Sequence, residues 1–421
     1  MSASLRWDDG SLETRASWLL RAAVPCLLAG LIVASGWIIA ANPQEPVWDQ
    51  QALLDARFGG PSLPAPATGF TSQLIVALAS PLLSDAPAVR NSAVRVIAMA
   101  LYLASAGLLA SRLLHQRAAV AVLLLFVTVS QYPFLWLSSE LFTGALLMFA
   151  IAAWAGGAPP AVTGGLLALL GLCKPDVILV AVTLLAWWAH RAPDRREAAI
   201  LVTAFGATLF ALLLPGTLAA GLDYFRSYGG SGGRSFASFG QHYAAIAASF
   251  QIGATAPNPW TETAVYLERH FPGATRLSDV VFGHFPRYVE FVALACVRGL
   301  FRAAHVANYA ALAIPFLVWT WRRAKHPLGD REKTLCLTFV GVLPFVLFAY
   351  PHVRYLARYY PIFVLLLLLG LERLLAVDSP GRRPALVAAF ACLALSLVEN
   401  GLRLASGLAN LSQTAVYWFP D

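Results

Sequence analysis

The first residues that could carry out chemistry lie in segment 42–58, which reads NPQEPVWDQQALLDARF. Asp49 follows Trp48 in this segment, shortly after a long apolar run at 16–41. From 50 to 58 apolar residues recur at helical spacing, which predicts an amphipathic helix at the membrane surface. A carboxylate held there can act as a general base or a metal ligand. The simpler alternative is a solvated loop acid beside an interfacial tryptophan.

A second informative segment is 350–361, YPHVRYLARYYP, at the start of a later apolar run. Arg354 and Arg358 are four residues apart, so on one helix they would share a face. Two guanidinium groups on one face can hold a phosphate or pyrophosphate, with His352 close by. The alternative is a pair of arginines that snorkel to lipid headgroups. Basic residues of that kind prefer the cytoplasmic side, and these are predicted on the other side, which favours the phosphate site.

Further charged residues are predicted at span ends on the same side, namely Glu140, Lys174 and Asp176. Taken singly, each such residue is more often a membrane anchor than part of a site. Taken together, they supply acids for proton abstraction and cations for a phosphate. The group is therefore a candidate site.

Composition gives the class of protein that positions these residues. Of 421 residues, 58% are hydrophobic and 12% are charged, against about 25% charged in soluble domains. The chain is therefore expected to be an all-α polytopic membrane protein, and its first apolar run an uncleaved span. The net charge of +8 does not indicate a nucleic-acid partner, because the basic residues form short clusters between apolar runs. The five cysteines are far apart and show no metal-binding spacing.

The basic clusters define a topology with about eleven spans, the N-terminus in the cytoplasm and the C-terminus outside. Residues 1–421 form a single integral membrane domain. It includes a first extracytoplasmic loop with interfacial helices at 42–88 and a large extracytoplasmic loop at 216–304. Within the first loop, 70–83 is too short to cross and is predicted to lie at the interface. Residues 334–350 are predicted to cross.

Short motifs in this order resemble the GT-C superfamily of membrane glycosyltransferases, such as protein O-mannosyltransferases and lipid A aminoarabinose transferases. The matching residues are VWDQ around Asp49, Thr71 to Leu74, Ser139-Glu140, Gly171 to Pro175, and His352, Arg354, Tyr355 and Pro361. The resemblance implies a GT-C-like bundle with interfacial helices in a bacterial inner (plasma) membrane.

The resemblance also implies a reaction. A sugar would pass from a polyprenyl-phosphate donor to a hydroxyl of a glycan, lipid or protein acceptor on the extracytoplasmic face, with inversion. Asp49 would be the base, Arg354 and Arg358 with Lys174 would hold the phosphate, and Glu140 would position the sugar or the acceptor. His352 and Tyr355 belong to the matching late motif. Many relatives have two neighbouring acids where this chain has Asp49 and Gln50, so no metal ligands are assigned, no cofactor is expected, and a divalent metal is left open.

The segment 224–243 in the large loop is rich in glycine, serine and aromatic residues and contains Arg234 and His242. Such a loop suits a lid whose aromatic faces stack on a sugar ring. The alternative is a disordered linker, although the aromatic residues favour packing.

Two other functions stay open. A lipid or sugar transporter or flippase usually places charges near the middle of the bilayer on broken helices, whereas this chain places most of them near span ends. A polysaccharide polymerase or ligase shares large outer loops and arginine pairs, and its chemistry is close to that of a glycosyltransferase.

Overall fold

The computed structural model describes residues 10–41, 54, 70–131, 138–220, 232–249, 263–307, 329–348, 353–376 and 382–409. All regular secondary structure in these ranges is helical. The first helices are α1 (Gly10–Ala41), α2 (Phe70–Ala79), α3 (Pro87–Leu113), α4 (Arg117–Gln131), α5 (Ser138–Ala155), α6 (Pro160–Gly171), α7 (Ile178–Arg191) and α8 (Arg195–Ala220). The later ones are α9 (Gly232–Ser249), α10 (Thr263–His270), α11 (Leu277–Gly283), α12 (Phe285–Ala307), α13 (Asp330–Leu337), α14 (Leu343–Phe348), α15 (Val353–Ala357), α16 (Tyr360–Ala376) and α17 (Arg382–Ala409).

Four of the described helices are long and apolar enough to cross a membrane. They lie at Ala22–Ala41, Pro87–Leu113, Arg195–Leu218 and Arg382–Leu402. The pair α11 and α12, bent by 104° at its break, makes a fifth if it is counted as one span. Several shorter apolar helices of 10–17 residues accompany them. These helices fit a multi-pass membrane protein, while the expected number of about eleven crossings is not confirmed.

The centre of the bundle is α3, which packs against α5 on one side and α1 on another. Tyr102 of α3 is fully buried, and its hydroxyl donates a hydrogen bond to the backbone carbonyl of Ala357 at 2.8 Å. Gly144 of α5 allows this approach, since a Cβ there would lie 2.6 Å from the Tyr102 ring and 3.2 Å from the carbonyl oxygen of Arg358. A second contact pairs α6 with α8.

The helices α5, α7 and α16 run between two charged ends of the bundle. They contain 18, 14 and 17 residues, or about 21–27 Å at 1.5 Å per residue. At one end Arg191 donates a hydrogen bond to Asp330, and Arg373 forms an ion pair with Glu332. At the same end the Glu372 carboxylate accepts hydrogen bonds from the backbone N–H groups of residues 115 and 116. These contacts join basic loops, which the predicted topology places in the cytoplasm, at one end of the bundle.

Two helices differ from the expected spans. The predicted crossing at 334–350 is broken into α13, a 3₁₀ segment at Thr338–Val342, and α14, so it is not one continuous α-helix. Helix α8 continues past Pro215 to Ala220, although a proline inside a helix usually ends or kinks it. The segment 70–83, which is predicted to lie at the interface, does form a helix, α2, which is followed by a 3₁₀ turn at Ser80–Leu82.

The topology predicts opposite accessibility for the two ends. In a chain whose five native cysteines are replaced, Ala264→Cys on α10 should react with a membrane-impermeant maleimide in intact cells. Pro193→Cys, between α7 and α8, should react only after the membrane is permeabilised, because basic loops remain in the cytoplasm. Both positions are exposed. The reverse pattern, or equal labelling, would overturn the predicted orientation.

Candidate functional site

Four charged side chains meet at the end of the bundle opposite the basic loops. The guanidinium of Arg358 is fully buried and donates from Nη1 to Oδ2 of Asp176 at 2.6 Å. Its Nη2 lies 2.8 Å from Oε2 of Glu140. The other oxygen of Glu140 accepts a hydrogen bond from Nζ of Lys174. We call these four residues the charged cluster, in which two cations and two carboxylates alternate.

Helix ends position the members of the cluster. Glu140 lies in the first turn of α5, and Asp176 lies in a 3₁₀ turn, Pro175–Val177, that leads into α7. Helix N-termini carry partial positive charge, which favours a carboxylate at both places. Lys174 precedes the proline that starts the 3₁₀ turn, and Arg358 lies between α15 and α16. The cluster therefore fixes the ends of α5, α7 and α16 against one another.

Burial divides the cluster into an inner and an outer pair. The side chains of Arg358 and Glu140 are 0% and 2% exposed, whereas those of Lys174 and Asp176 are 15% and 17% exposed. A ligand approaching from this end would reach the lysine and the aspartate first. The inner pair holds the outer pair in place.

The expected arginine pair has a different geometry from the one that the spacing suggests. Helix α15 ends at Ala357, so Arg354 and Arg358 do not lie on one uninterrupted helix. Arg358 faces Asp176 and Glu140 instead of an open surface. The spacing argument assumes one continuous helix, whereas the chain turns at 358 and 359, just before α16.

Several expected site residues lie outside the part of the chain that the structure describes. These are Asp49 and His352, together with the side chains of Arg234 and Arg354. Tyr355 is described and is half-buried on α15, one turn of chain away from Arg358. Among the described residues no three His, Cys, Asp or Glu side chains are grouped as they would be to hold a metal ion.

Asp176 has a larger part in the site than the sequence indicated. From the sequence, Asp176 is one of several charged residues at extracytoplasmic span ends and has no assigned role. In the structure it is a direct partner of Arg358. The available signal was an acid placed one residue after the Lys174-Pro175 pair, at the start of an apolar run. Such a position is typical of helix N-termini and so does not by itself identify a site.

The helices α9 to α12, most of which lie in the predicted large loop, share a core of their own, and we call them the helical unit. Phe239 and Tyr243 of α9 pack with Phe271 and with Phe291 of α12, with ring centroids 4.8–6.2 Å apart. His242 is half-buried on the same helix. The described part of the loop is therefore packed, and the linker alternative is wrong for it. A sugar-stacking role for these rings stays a prediction.

The helical unit should lose stability in mild acid. Burial, with the nearby charges of Arg287 and Arg269, lowers the pKa of His270, whose ring lies 5.2 Å from that of Tyr243. The unfolded chain then binds a proton more readily than the fold, so this stability is present above the ordinary histidine pKa of about 6.5 and is lost as pH falls below it. The protection factors of amides in peptides from α9, which correct for the slowing of intrinsic exchange in acid, should fall between about pH 6.5 and 5.

The matched variant for this test is His270→Gln, which removes the titrating group and should flatten the pH dependence. The same acid response in His270→Gln and in the unsubstituted protein would assign the effect to another group. Peptides from α3, which lies outside the helical unit, serve as the internal reference.

The charged cluster should contribute more to stability than an exposed ion pair. Glu140→Gln leaves Lys174 and Arg358 without their shared carboxylate, and breaking a buried pair costs about 3–5 kcal/mol. Asp330→Asn removes the partner of Arg191, where the side chains are 34% and 46% exposed, and should cost at most about 1 kcal/mol. Thermal unfolding of the purified proteins in detergent measures both. Equal losses would mean that the cluster does not hold the helix ends together.

Comparisons with known proteins identify no relative of this chain. No family model, curated protein or solved structure matches the chain. The function is therefore argued from the motifs and from the charged cluster.

Proposed function

We propose that the protein is an inverting glycosyltransferase that moves a sugar from a polyprenyl phosphate to an acceptor hydroxyl outside the cytoplasm. The observation that supports this most is the charged cluster. Glu140 contacts both Lys174 and Arg358 at one end of the bundle. Glu140 and Lys174 belong to motifs that resemble those of GT-C enzymes, and Arg358 lies next to another such motif. That end lies opposite the basic loops, which face the cytoplasm in the proposed orientation.

The proposed reaction is a single displacement. The acceptor oxygen bonds to the anomeric carbon, the bond from that carbon to the phosphate oxygen breaks, and the phosphate leaves with the electron pair. The acceptor proton passes to a carboxylate, for which Asp49 is the candidate. The leaving phosphate is a stable anion, so it needs positive charge and no general acid. This chemistry requires one base and a cationic site, unlike glycoside hydrolysis with its pair of carboxylates.

Within this reaction the cluster has two roles. Lys174 is partly exposed and is the described cation that a donor phosphate could reach most directly. Arg358 is fully buried and paired with Glu140 and Asp176, so its part is to hold these two carboxylates and, through Glu140, the lysine. Arg358, which the sequence motifs suggested as a phosphate ligand, is therefore proposed as a positioning residue.

The architecture that completes the proposal is a GT-C-like bundle with about eleven crossings in a bacterial plasma membrane. A lipid-linked donor needs a site that opens to the bilayer at the level of its headgroups. Interfacial helices in the first outer loop would supply such an opening. The acceptor is a glycan, a lipid or a protein.

A transporter or flippase is the second candidate, and the same cluster favours it. Ionisable residues enclosed in a membrane protein often mark a substrate or proton pathway. A balanced group of two cations and two carboxylates could exchange partners as a substrate passes. A polymerase or ligase remains a neighbouring chemistry in which the acceptor is a saccharide chain.

One experiment separates these functions. Purified protein in liposomes receives radiolabelled polyprenyl-phosphate sugars, with saccharide, lipid or peptide acceptors in separate samples. We expect label on an acceptor, or slow release to water when the acceptor is omitted. Movement of intact label across the bilayer without transfer would indicate transport, and transfer only to saccharide chains would indicate a polymerase or ligase.

The base is tested in the same assay. Asp49→Asn keeps the size of the side chain and removes its basicity, so turnover should fall by about 10²–10⁴-fold while donor binding is largely kept. Asp55→Asn is the matched control in the same segment and should be nearly silent, because Asp55 falls on the polar face of the predicted amphipathic helix. If Asp49→Asn retains more than about a tenth of the rate, Asp49 is not the base, and Glu140 and Asp176 become the carboxylates to test.

A further inference from the structure

We propose that Arg90 is a positioning residue that docks the first outer segment, the one carrying Asp49, onto the helices that hold the charged cluster. This inference rests on the proposed function, since it assigns Arg90 a role in the same reaction. No sequence motif identified Arg90 as a site residue. Its contacts, and those of helix α2, carry the argument.

Arg90 joins two distant parts of the outer end. It lies in the first turns of α3 and is 4% exposed. Its Nε donates to the backbone carbonyl of Leu54 at 2.9 Å, and its Nη2 donates to the hydroxyl of Ser80 at 3.0 Å. Leu54 is itself 3% exposed, so the first outer segment is anchored in the bundle at that residue. Asp49 precedes Leu54 by five residues, so the length of the chain between them limits their separation to about 18 Å at most.

Helix α2 connects this anchor to the charged cluster. Ser80 follows the C-terminal end of α2, where Arg90 binds it. At the other end of α2, the hydroxyl of Thr71 donates to the carbonyl of Leu169 at 2.6 Å, and its backbone N–H donates to the carbonyl of Leu172 at 3.3 Å. Leu172 lies two residues before Lys174. The first outer segment and the cluster are thus tied to opposite ends of one short helix.

The chemistry of the arginine explains why this residue type is needed. A guanidinium presents several donors in a rigid plane, so it can hold two acceptors at once in a fixed relative position. A lysine at the same place offers a single flexible ammonium group and cannot reproduce that fork. One acceptor is a backbone carbonyl, which keeps its place whatever side chain residue 54 carries. Arg90 therefore sets the distance between the first outer segment and α2.

The test compares Arg90→Ala with Arg112→Ala, an exposed arginine at the other end of α3. Hydrogen exchange measured by mass spectrometry on the full-length protein in detergent follows peptides that cover 50–58. We expect exchange there to accelerate by about tenfold or more in Arg90→Ala, the factor that corresponds to losing a hydrogen bond from a charged group. Arg112→Ala should leave it unchanged, and Arg90→Lys should fall between.

A kinetic readout separates positioning from general stability. With a radiolabelled polyprenyl-phosphate sugar as donor, Arg90→Ala should lower kcat and leave the donor KM nearly unchanged, because Lys174, the cation proposed to meet the donor phosphate, is untouched. If Arg90→Ala does not fold, Ser80→Ala removes a single acceptor and should give smaller changes in the same direction.

Two results would overturn the proposal. One is unchanged exchange at 50–58 in folded Arg90→Ala or, where only Ser80→Ala folds, in that variant. The other is faster exchange with unchanged kcat, which would show anchoring without a role in the reaction. If the unsubstituted protein transfers no sugar, the proposed function fails. The exchange measurement then still decides whether Arg90 anchors the segment.

Discussion

The fold depends on how a guanidinium can be buried inside a membrane protein. Moving a lone charge from water into an apolar interior costs far more than folding can return, so the charge must be balanced locally. Arg358 meets this condition with two carboxylates, and Glu140 in turn balances Lys174. The four charges sum to zero. Because these residues come from the starts of α5, α7 and α16, the requirement for balance also sets how those helices meet.

A neutral buried cluster also constrains the packing around it. Tyr102 bonds the carbonyl of Ala357, the residue before Arg358, and Gly144 provides the space in which the tyrosine ring lies. The arginine backbone is therefore held by α3 while its side chain is held by α5 and α7. Small shifts of one helix would lengthen several charged contacts at once. Such a site is rigid at its inner pair and accessible at its outer pair, which suits a binding site that has to keep its geometry.

Part of this arrangement could be predicted from the sequence, and the reason differs from residue to residue. The alternation of basic and apolar segments predicts which loops meet, and Arg191, Glu332 and Arg373 do meet at one end. Hydropathy also predicts most helices, because apolar runs of this length have few other structures in a bilayer. The break at Thr338–Val342 was missed, since an apolar run reads alike whether it is α-helical or partly 3₁₀. Periodicity could not show the turn at 358 and 359, because it assumes a continuous helix through Arg354 and Arg358. The partners of Arg358 and Arg90 come from tertiary contacts between distant segments, which local patterns do not encode.

Charge balance bears directly on the proposed reaction. A donor phosphate adds negative charge to a cluster whose four charges already cancel. Arg358 can turn toward the phosphate only by giving up a contact with Glu140 or Asp176, and breaking a buried ion pair is costly. Lys174 at the accessible side of the cluster would therefore need help from a further cation outside it. Arg354 is the nearest basic residue in sequence, four positions before Arg358, in the stretch that resembles the late GT-C motif. In the proposed mechanism Arg358 and Arg354 would therefore not be equivalent: Arg358 would hold the carboxylates, while Arg354 would join Lys174 in supplying the positive charge that the leaving phosphate requires.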